Sequence, residues 1–340
     1  SAPIFTTVYL PSFLGPHRER FKNWKIRTSW FQYVPFKSKL VSPLRILAPF
    51  LFSSMNFGRY DVVIVSQTGA YTPNLIKKGK AVQICYTHTP PRYLYGYTTA
   101  REWKKNLFLK VAGELMNHVL RMVDFKASQN VDYFIANSQN VASRIQKFYR
   151  KNSTVIYPPA TQDSLLALRA GPPVKRTYYL AGGRIARPKN MDLIIKAFAE
   201  MKLPLKIFGR TFAGNSLNIS LSKYPNIQFL GEVSEEEKYQ LMVNTKAFIF
   251  ASEDEDFGIT PVEAMAVGTP VIAYRSGGVQ ESIIENKTGI FFDKLTVPNL
   301  KNTILRYRKL HFDRVYIINH AKKFSKERFK KEMEEFVKNH

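Results

Sequence analysis

Ala247–Ala273 reads AFIFASEDEDFGITPVEAMAVGTPVIA. An apolar run, Ala247–Ala251, gives way to the acidic turn Glu253-Asp254-Glu255-Asp256. A helical stretch follows, Gly268 stops it, and a second apolar run, Pro270–Ala273, begins. Strand, turn, helix and strand in this order describe one unit of a parallel sheet. Thr260 is placed to cap the helix, Pro261 suits the first helical position, and Glu263 completes a capping box. That accounts for Glu263 structurally and leaves Glu255 without a structural role. Carboxylates in a loop beside a ligand accept hydrogen bonds from vicinal hydroxyls. The amides of Gly258, Ile259 and Thr260 would sit at the positive end of the helix dipole, where an anion binds.

The same alternation extends outward along the chain. Ile4–Tyr9, Asp61–Ser66, Ala81–Tyr86, Tyr133–Ala136, Ser153–Tyr157, Tyr178–Ala181 and Pro204–Phe208 read as strands. Ala100–Asn130, Ser138–Tyr149, Met191–Met201, Ser234–Asn244 and Pro261–Val267 read as helices. Continuous apolar runs separated by amphipathic stretches predict an α/β chain with parallel sheets buried on both faces. Tyr157-Pro158-Pro159-Ala160 ends a strand in two prolines, and a linker is placed between 158 and 175. Two domains follow, 1–160 and 161–320, with an amphipathic segment over 321–340 that carries Phe324, Phe329, Met333 and Phe336 on one side.

A second loop carries chemistry. After the strand ending at Ala181 come Gly182, Gly183, Arg184, Ile185, Ala186, Arg187, Pro188, Lys189 and Asn190. Glycines admit close backbone approach, and Arg184 and Lys189 supply the cations that a diphosphate requires. A solvated basic loop with Asn190 as a helix cap is the alternative.

The 340 residues carry a formal charge of +25, and residues 1–160 hold 23 Lys and Arg against 6 Asp and Glu. Such a field favours an anionic partner, be it nucleic acid, phosphorylated substrate or acidic membrane. Trp24, Trp30, Phe31, Tyr33 and Phe36 lie among these cations and suit a peripheral membrane contact. The basic residues are dispersed and no nucleic-acid-binding motif accompanies them, so no nucleic-acid partner is expected. The apolar stretch Leu40–Met55 is broken by Pro43, Arg45 and Pro49, which makes it a short packed or interfacial helix. Cys85 is the one cysteine, which points to a reducing compartment. Metal-ligand spacing is absent from the sequence.

Glu255, seven intervening residues and Glu263, set in EDFGITPVEAMAVGTPVIAYRSGG, resemble the motif of family 4 glycosyltransferases. GGRIARPKN resembles that family's phosphate loop. ICYTHTPPRYLY, DYFIANSQNVASRIQKFY and STVIYPPA resemble its bacterial mannosyltransferase-like subgroup, in polysaccharide biosynthesis. The resemblance implies a GT-B fold: two facing Rossmann-like domains, acceptor side first and donor side second, with the last helix crossing back onto the first. It implies a retaining hexosyltransferase using a nucleotide-diphosphate sugar, GDP-mannose by the subgroup, and a glycan or lipid-linked acceptor. No cofactor or metal is implied, and the expected place is the cytoplasm, with association to the inner face of the cell membrane as a further expectation. Glu255 would contact the donor sugar, Glu263 the ribose, and Arg184 and Lys189 the diphosphate. Gly183, Gly258, Ile259 and Thr260 would add backbone contacts, and Gly231 and Val233 would line the base. His88 would face the sugar across the cleft, or else be a histidine satisfied at a strand end. Arg92 is a weaker candidate for an acceptor or phosphate contact. Family members begin with a strand and a Gly-Gly loop, and this chain starts at what resembles their next strand. Donor binding without turnover is therefore a second expectation.

Overall fold

The computed structural model describes residues 2–40, 46–69, 71–99, 107–160, 173, 175–210 and 223–340. The expected linker and the starts of two expected helices, before Ala48 and before Leu107, lie largely outside them. In the first half, β1 (Ile4–Thr6) pairs with β2 (Ile26–Thr28). A separate sheet runs β3 (Val62–Gln67), β4 (Val82–Thr87), β5 (Tyr133–Ala136) and β6 (Ser153–Val155), in that order. The second half contains β7 (Tyr178–Gly182), β8 (Leu205–Phe208), β9 (Ile227–Gly231), β10 (Thr245–Phe250), β11 (Val271–Tyr274) and β12 (Gly289–Phe292). Their spatial order is β12-β11-β10-β7-β8-β9, and the described pairings are parallel.

That order places the ligand crevice. The chain winds outward from β7 to β9, returns to the middle, and winds the other way through β10 to β12. Connections leave opposite faces at β7 and β10, so a crevice opens beyond their C-terminal ends. Side chains alternate along both strands. Tyr178, Leu180, Phe248 and Phe250 enter one core, whereas Tyr179, Ala181, Ala247 and Ile249 enter the other. Helix Met191–Met201 and helix Val297–Tyr307 cover the second of these faces; helix Glu235–Val243 and helix Ile259–Ala266 cover the first.

The first sheet is covered likewise. Val63, Val65, Cys85 and Phe134 meet Val141, Ile145 and Tyr149 of helix Gln139–Tyr149. Ile84, Tyr86 and Ile135 meet Phe336, with Phe329 and Met333 packed against them, on helix Lys326–Lys338. The last helix thus lies on the first-half sheet. It starts later than residue 321, because Ser325 caps it by accepting the amide of Arg328. Phe324 consequently joins the second-half core.

β1 and β3 face each other across an apolar cavity of about 700 Å³. Its walls include every residue from Ala2 to Val8 and from Val62 to Ser66. Consecutive residues, rather than alternate ones, mark the strand edge and not its face. Ile64, 52% exposed, lies on that wall.

Candidate functional site

The loop Ala251–Phe257 leaves β10 at the crevice and carries Glu255. Gly258, with φ +91°, turns the chain directly into a helix that starts at Ile259. Thr260 is therefore the second helical residue rather than the cap, and its capping box with Glu263 does not form. Gly258 pre-empts it: a left-handed glycine starts the helix two residues early without a side-chain cap. Amides in a first helical turn have no intrahelical acceptor, and those of Ile259 and Thr260 stand in that turn. A Cβ on Gly183 would lie 3.7 Å from Thr260 Oγ1, so the glycine loop after β7 abuts this helix start.

Lys189 crosses from the β7 loop to Glu255, with Nζ donating to Oε2 at 2.5 Å. Ser252 Oγ donates to the same oxygen at 2.7 Å. Burial works against the Glu255 carboxylate, but Lys189, Ser252 and Arg92 outweigh it and hold its pKa below the ordinary range. Lys189 ends a single 3₁₀ turn, Arg187–Lys189. Asn190 follows in the left-handed region at φ +47° and makes no side-chain cap. Its Nδ2 donates instead to the Ala251 carbonyl at 3.0 Å and to Glu253 Oε1 at 2.9 Å. Asn190 thus ties the basic turn to the acidic loop. Arg184 lies exposed between β7 and that turn.

Glu263 is 6% exposed and accepts from Lys238 Nζ at 3.0 Å. Lys238 also reaches Glu235 Oε2 at 2.8 Å. Burial works against the Lys238 ammonium, but the two carboxylates outweigh it and raise its pKa. Lys238 sits on helix Glu235–Val243, which Ser234 caps by accepting the amide of Glu237 at 3.1 Å. Gly231 (φ +71°) and Val233 form the turn into that helix, so Lys238 links their segment to Glu263. Sequence spacing gave no signal for Lys238: it lies 25 residues from Glu263 and meets it only in the fold.

The first half supplies His88 and Arg92, just beyond β4. His88 Nε2 is 3.1 Å from Ser66 Oγ, and its amide donates to the Gln67 carbonyl at 2.8 Å. Burial lowers the His88 pKa, opposed by Asp256, so the imidazole is neutral at pH 7. The unfolded chain takes up this proton below about pH 6.5, so its contribution to stability is full above that pH and falls as pH drops. Between about pH 7.5 and about pH 5.5 the wild type should lose more stability than His88→Asn in urea unfolding. Equal losses would remove the buried-imidazole account. Arg92 Nη2 donates to the Asp254 carbonyl at 2.7 Å and to Asp256 Oδ1 at 2.8 Å. Arg144, which the sequence did not single out, reaches the same carboxylate oxygen at 2.7 Å. Among the described residues, no group of three or more His, Cys, Asp or Glu is arranged to hold a metal ion.

Glu255, Lys189, Gly183, Gly258, Ile259 and Thr260 therefore meet at the β7–β10 crevice, with Glu263 one helical turn further along. Residues 169–324 match the family model for glycosyl transferases group 1. Residues 169–324 are thus similar to glycosyl transferases group 1. The chain is 26% identical over 215 residues to an uncharacterized glycosyltransferase of Methanocaldococcus jannaschii, covering 62% of this chain and 60% of that one. It is 26% identical over 293 residues to alpha-1,3/1,6-mannosyltransferase ALG2 of Kluyveromyces lactis, covering 72% of this chain and 56% of that one. The chain thus spans little more than half the length of these relatives. Among solved structures, sucrose-phosphate synthase of Thermosynechococcus elongatus superimposes with a TM-score of 0.63 at 18% identity, over 92% of this chain and 82% of that one. Anabaena HepE in complex with UDP and glucose gives 0.63 at 16%, over 97% and 89%. The chain thus shares with these structures a GT-B fold of two parallel-sheet halves.

Proposed function

We propose that this chain is a retaining family 4 hexosyltransferase that moves a sugar from a nucleotide-diphosphate donor to a glycan or lipid-linked acceptor. One observation carries the reading: a carboxylate and an ammonium, Glu255 and Lys189, meet 2.5 Å apart beside the first turn of a helix, at the β7–β10 crevice. Carboxylate acceptors suit sugar hydroxyls; cations and helix-start amides suit a diphosphate. In the proposed complex, Glu255 accepts from the sugar and Glu263 from the ribose. Lys189 and Arg184 stabilise charge on the departing diphosphate, and the amides of Gly258, Ile259 and Thr260 add to that stabilisation. Gly183 lets the diphosphate approach the β7 loop, and Gly231 and Val233 line the base. The neutral His88 faces the sugar from the first half.

Mannose, with GDP as its carrier, is the proposed donor, supported by the likeness to alpha-1,3/1,6-mannosyltransferases. The complex of HepE with UDP and glucose keeps other nucleotide sugars in the trial. A lipid-linked acceptor and a peripheral contact with an anionic membrane are supported by the basic first half. Trp24, Trp30, Tyr33 and Phe36 are exposed there, but Phe31 is buried at 3% and contributes to packing instead. No described helix is long and apolar enough to cross a membrane.

A thermal-shift screen across nucleotide sugars tests this reading. A donor at 100 times its Kd stabilises the native chain by about 2.7 kcal/mol, which raises Tm by about 5 °C. The account expects one nucleotide sugar to stand out and Lys189→Ala to abolish its shift. No shift with any donor contradicts it. A donor that binds but is never transferred favours a sugar-nucleotide-binding homologue without turnover.

A further inference from the structure

We propose that the first half of the chain positions Glu255 through a latch on the backbone of its loop, so that this carboxylate is placed for the donor only when the two halves are closed. The inference rests on the donor-site reading of Glu255. Three consecutive carbonyls of the second half accept from first-half side chains. Asp254 O takes Arg92 Nη2 at 2.7 Å and Arg144 Nη2 at 3.2 Å. Glu255 O takes Asn140 Nδ2 at 3.1 Å, and Asp256 O takes Ser138 Oγ at 2.6 Å.

The two adjacent carboxylates point to opposite halves. Glu255 turns to Lys189 and Ser252 of its own half, whereas Asp256 turns to Arg92 and Arg144 of the other. Fixing Asp256 therefore fixes the direction in which Glu255 leaves the backbone. Asp254 holds a left-handed φ of +49°, a conformation that a non-glycine residue keeps only when its surroundings hold it there. Both guanidiniums sit on its carbonyl.

The latch is anchored rigidly on each side. Arg144 is 4% exposed, its guanidinium lies 4.1 Å from the Tyr97 ring centre, and its Nη1 also donates to Thr89 Oγ1 at 3.0 Å. It projects from helix Gln139–Tyr149, whose inner face is first-half core. In return, Glu281 of the second half accepts the amides of Gln139 and Asn140 at 2.7 and 2.9 Å, at the positive end of that helix. Behind the loop, the Gly278 amide donates to Glu255 O at 2.8 Å. A Cβ at Gly277 or Gly278 would come within 2.2 Å of the Glu255 or Asp256 carbonyl oxygen, so the loop is clamped between the two halves. Arg92, Arg144, Ser138, Asn140 and Asp256 are on this account positioning residues: they reach the donor through Glu255.

Asp256→Asn, Asn140→Ala and Arg144→Lys test the latch, each checked for native Tm. Two readouts are used. The first is the distance between spin labels at Asn130→Cys and Asn302→Cys, one exposed site per half, in the ligand-free chain. The second is steady-state transfer. A loop displaced by an ångström costs up to about a hundredfold in rate. The expected result is a broadened distance distribution and a kcat at least about tenfold lower in Asp256→Asn, with donor KM within about threefold of wild type. Asn140→Ala, whose side chain is half-buried, should move both in the same direction by less. A distance distribution unchanged in all three variants overturns the latch, and so does a loss confined to donor KM. A wild type that transfers no sugar sinks the transferase reading alone, because the distance measurement still decides the latch.

Discussion

Replacing Glu255 by Gln is expected to lower kcat for sugar transfer about a hundred- to a thousandfold, the range for removing one preorganised charge from a reacting centre. Gln keeps the shape and can still accept from Ser252, but it cannot hold the Lys189 ammonium as a carboxylate does. Lys189 would then stand beside the donor without its counter-charge and bind the diphosphate in altered geometry. Stability should fall by about 1.5–3 kcal/mol, the range for a hydrogen bond to a charged group. Adding Lys189→Met to Glu255→Gln should recover part of that stability and none of the activity. The check is kcat and KM under single-turnover and steady-state conditions, with urea unfolding of the same samples. A Glu255→Gln chain that turns over within tenfold of wild type would remove Glu255 from the chemistry.

Lys238→Met is expected to cost about 3–5 kcal/mol, because it leaves the Glu263 carboxylate buried without its ammonium. Desolvating a charge is tolerated where a partner compensates it, and here the partner comes from a different helix. The companion Lys238→Met/Glu263→Leu should be more stable than Lys238→Met alone, since it buries no charge. Both are read by urea midpoint at constant m. A loss below about 1 kcal/mol in Lys238→Met would mean that Glu263 takes up a proton or finds another donor. The double variant also separates the two roles of Glu263: if it folds and no longer binds a nucleotide, the carboxylate serves the ligand as well as the fold.

The central strands were legible because both faces of each sheet are covered, which leaves continuous apolar runs in the sequence. β9 and β12 were not. β9 is an edge strand whose Gln228 and Phe229 are exposed, so its run is broken. β12, Gly-Ile-Phe-Phe, lies at the other edge of the sheet and begins with a glycine that follows the polar run Glu285-Asn286-Lys287-Thr288. The β10–helix unit was read correctly in kind and wrongly in detail. Thr260 and Glu263 have the spacing of a capping box, yet Gly258 starts the helix first, and spacing alone cannot choose between two competing starts. Glu255 and Lys189 stood out because charge without a structural role in a loop is visible locally. Lys238 and Arg144 were missed because each meets its partner 25 and 112 residues away, and their helices look ordinary in sequence. Phe31 was placed on the surface from its basic neighbours, whereas the structure buries it in the turn that Ser29 caps.

The central claim is that one nucleotide-diphosphate sugar lies across the β7–β10 crevice, with its sugar at Glu255 and its ribose at Glu263. A crystal structure of the chain with the donor that gives the largest thermal shift tests it directly. The account predicts sugar hydroxyls within hydrogen-bond distance of Glu255, diphosphate oxygens against Lys189 and the amides of Ile259 and Thr260, and ribose hydroxyls on Glu263. A donor seated elsewhere, such as in the cavity between β1 and β3, with Lys189 still paired to Glu255 and no ligand atom near either glutamate, would contradict it.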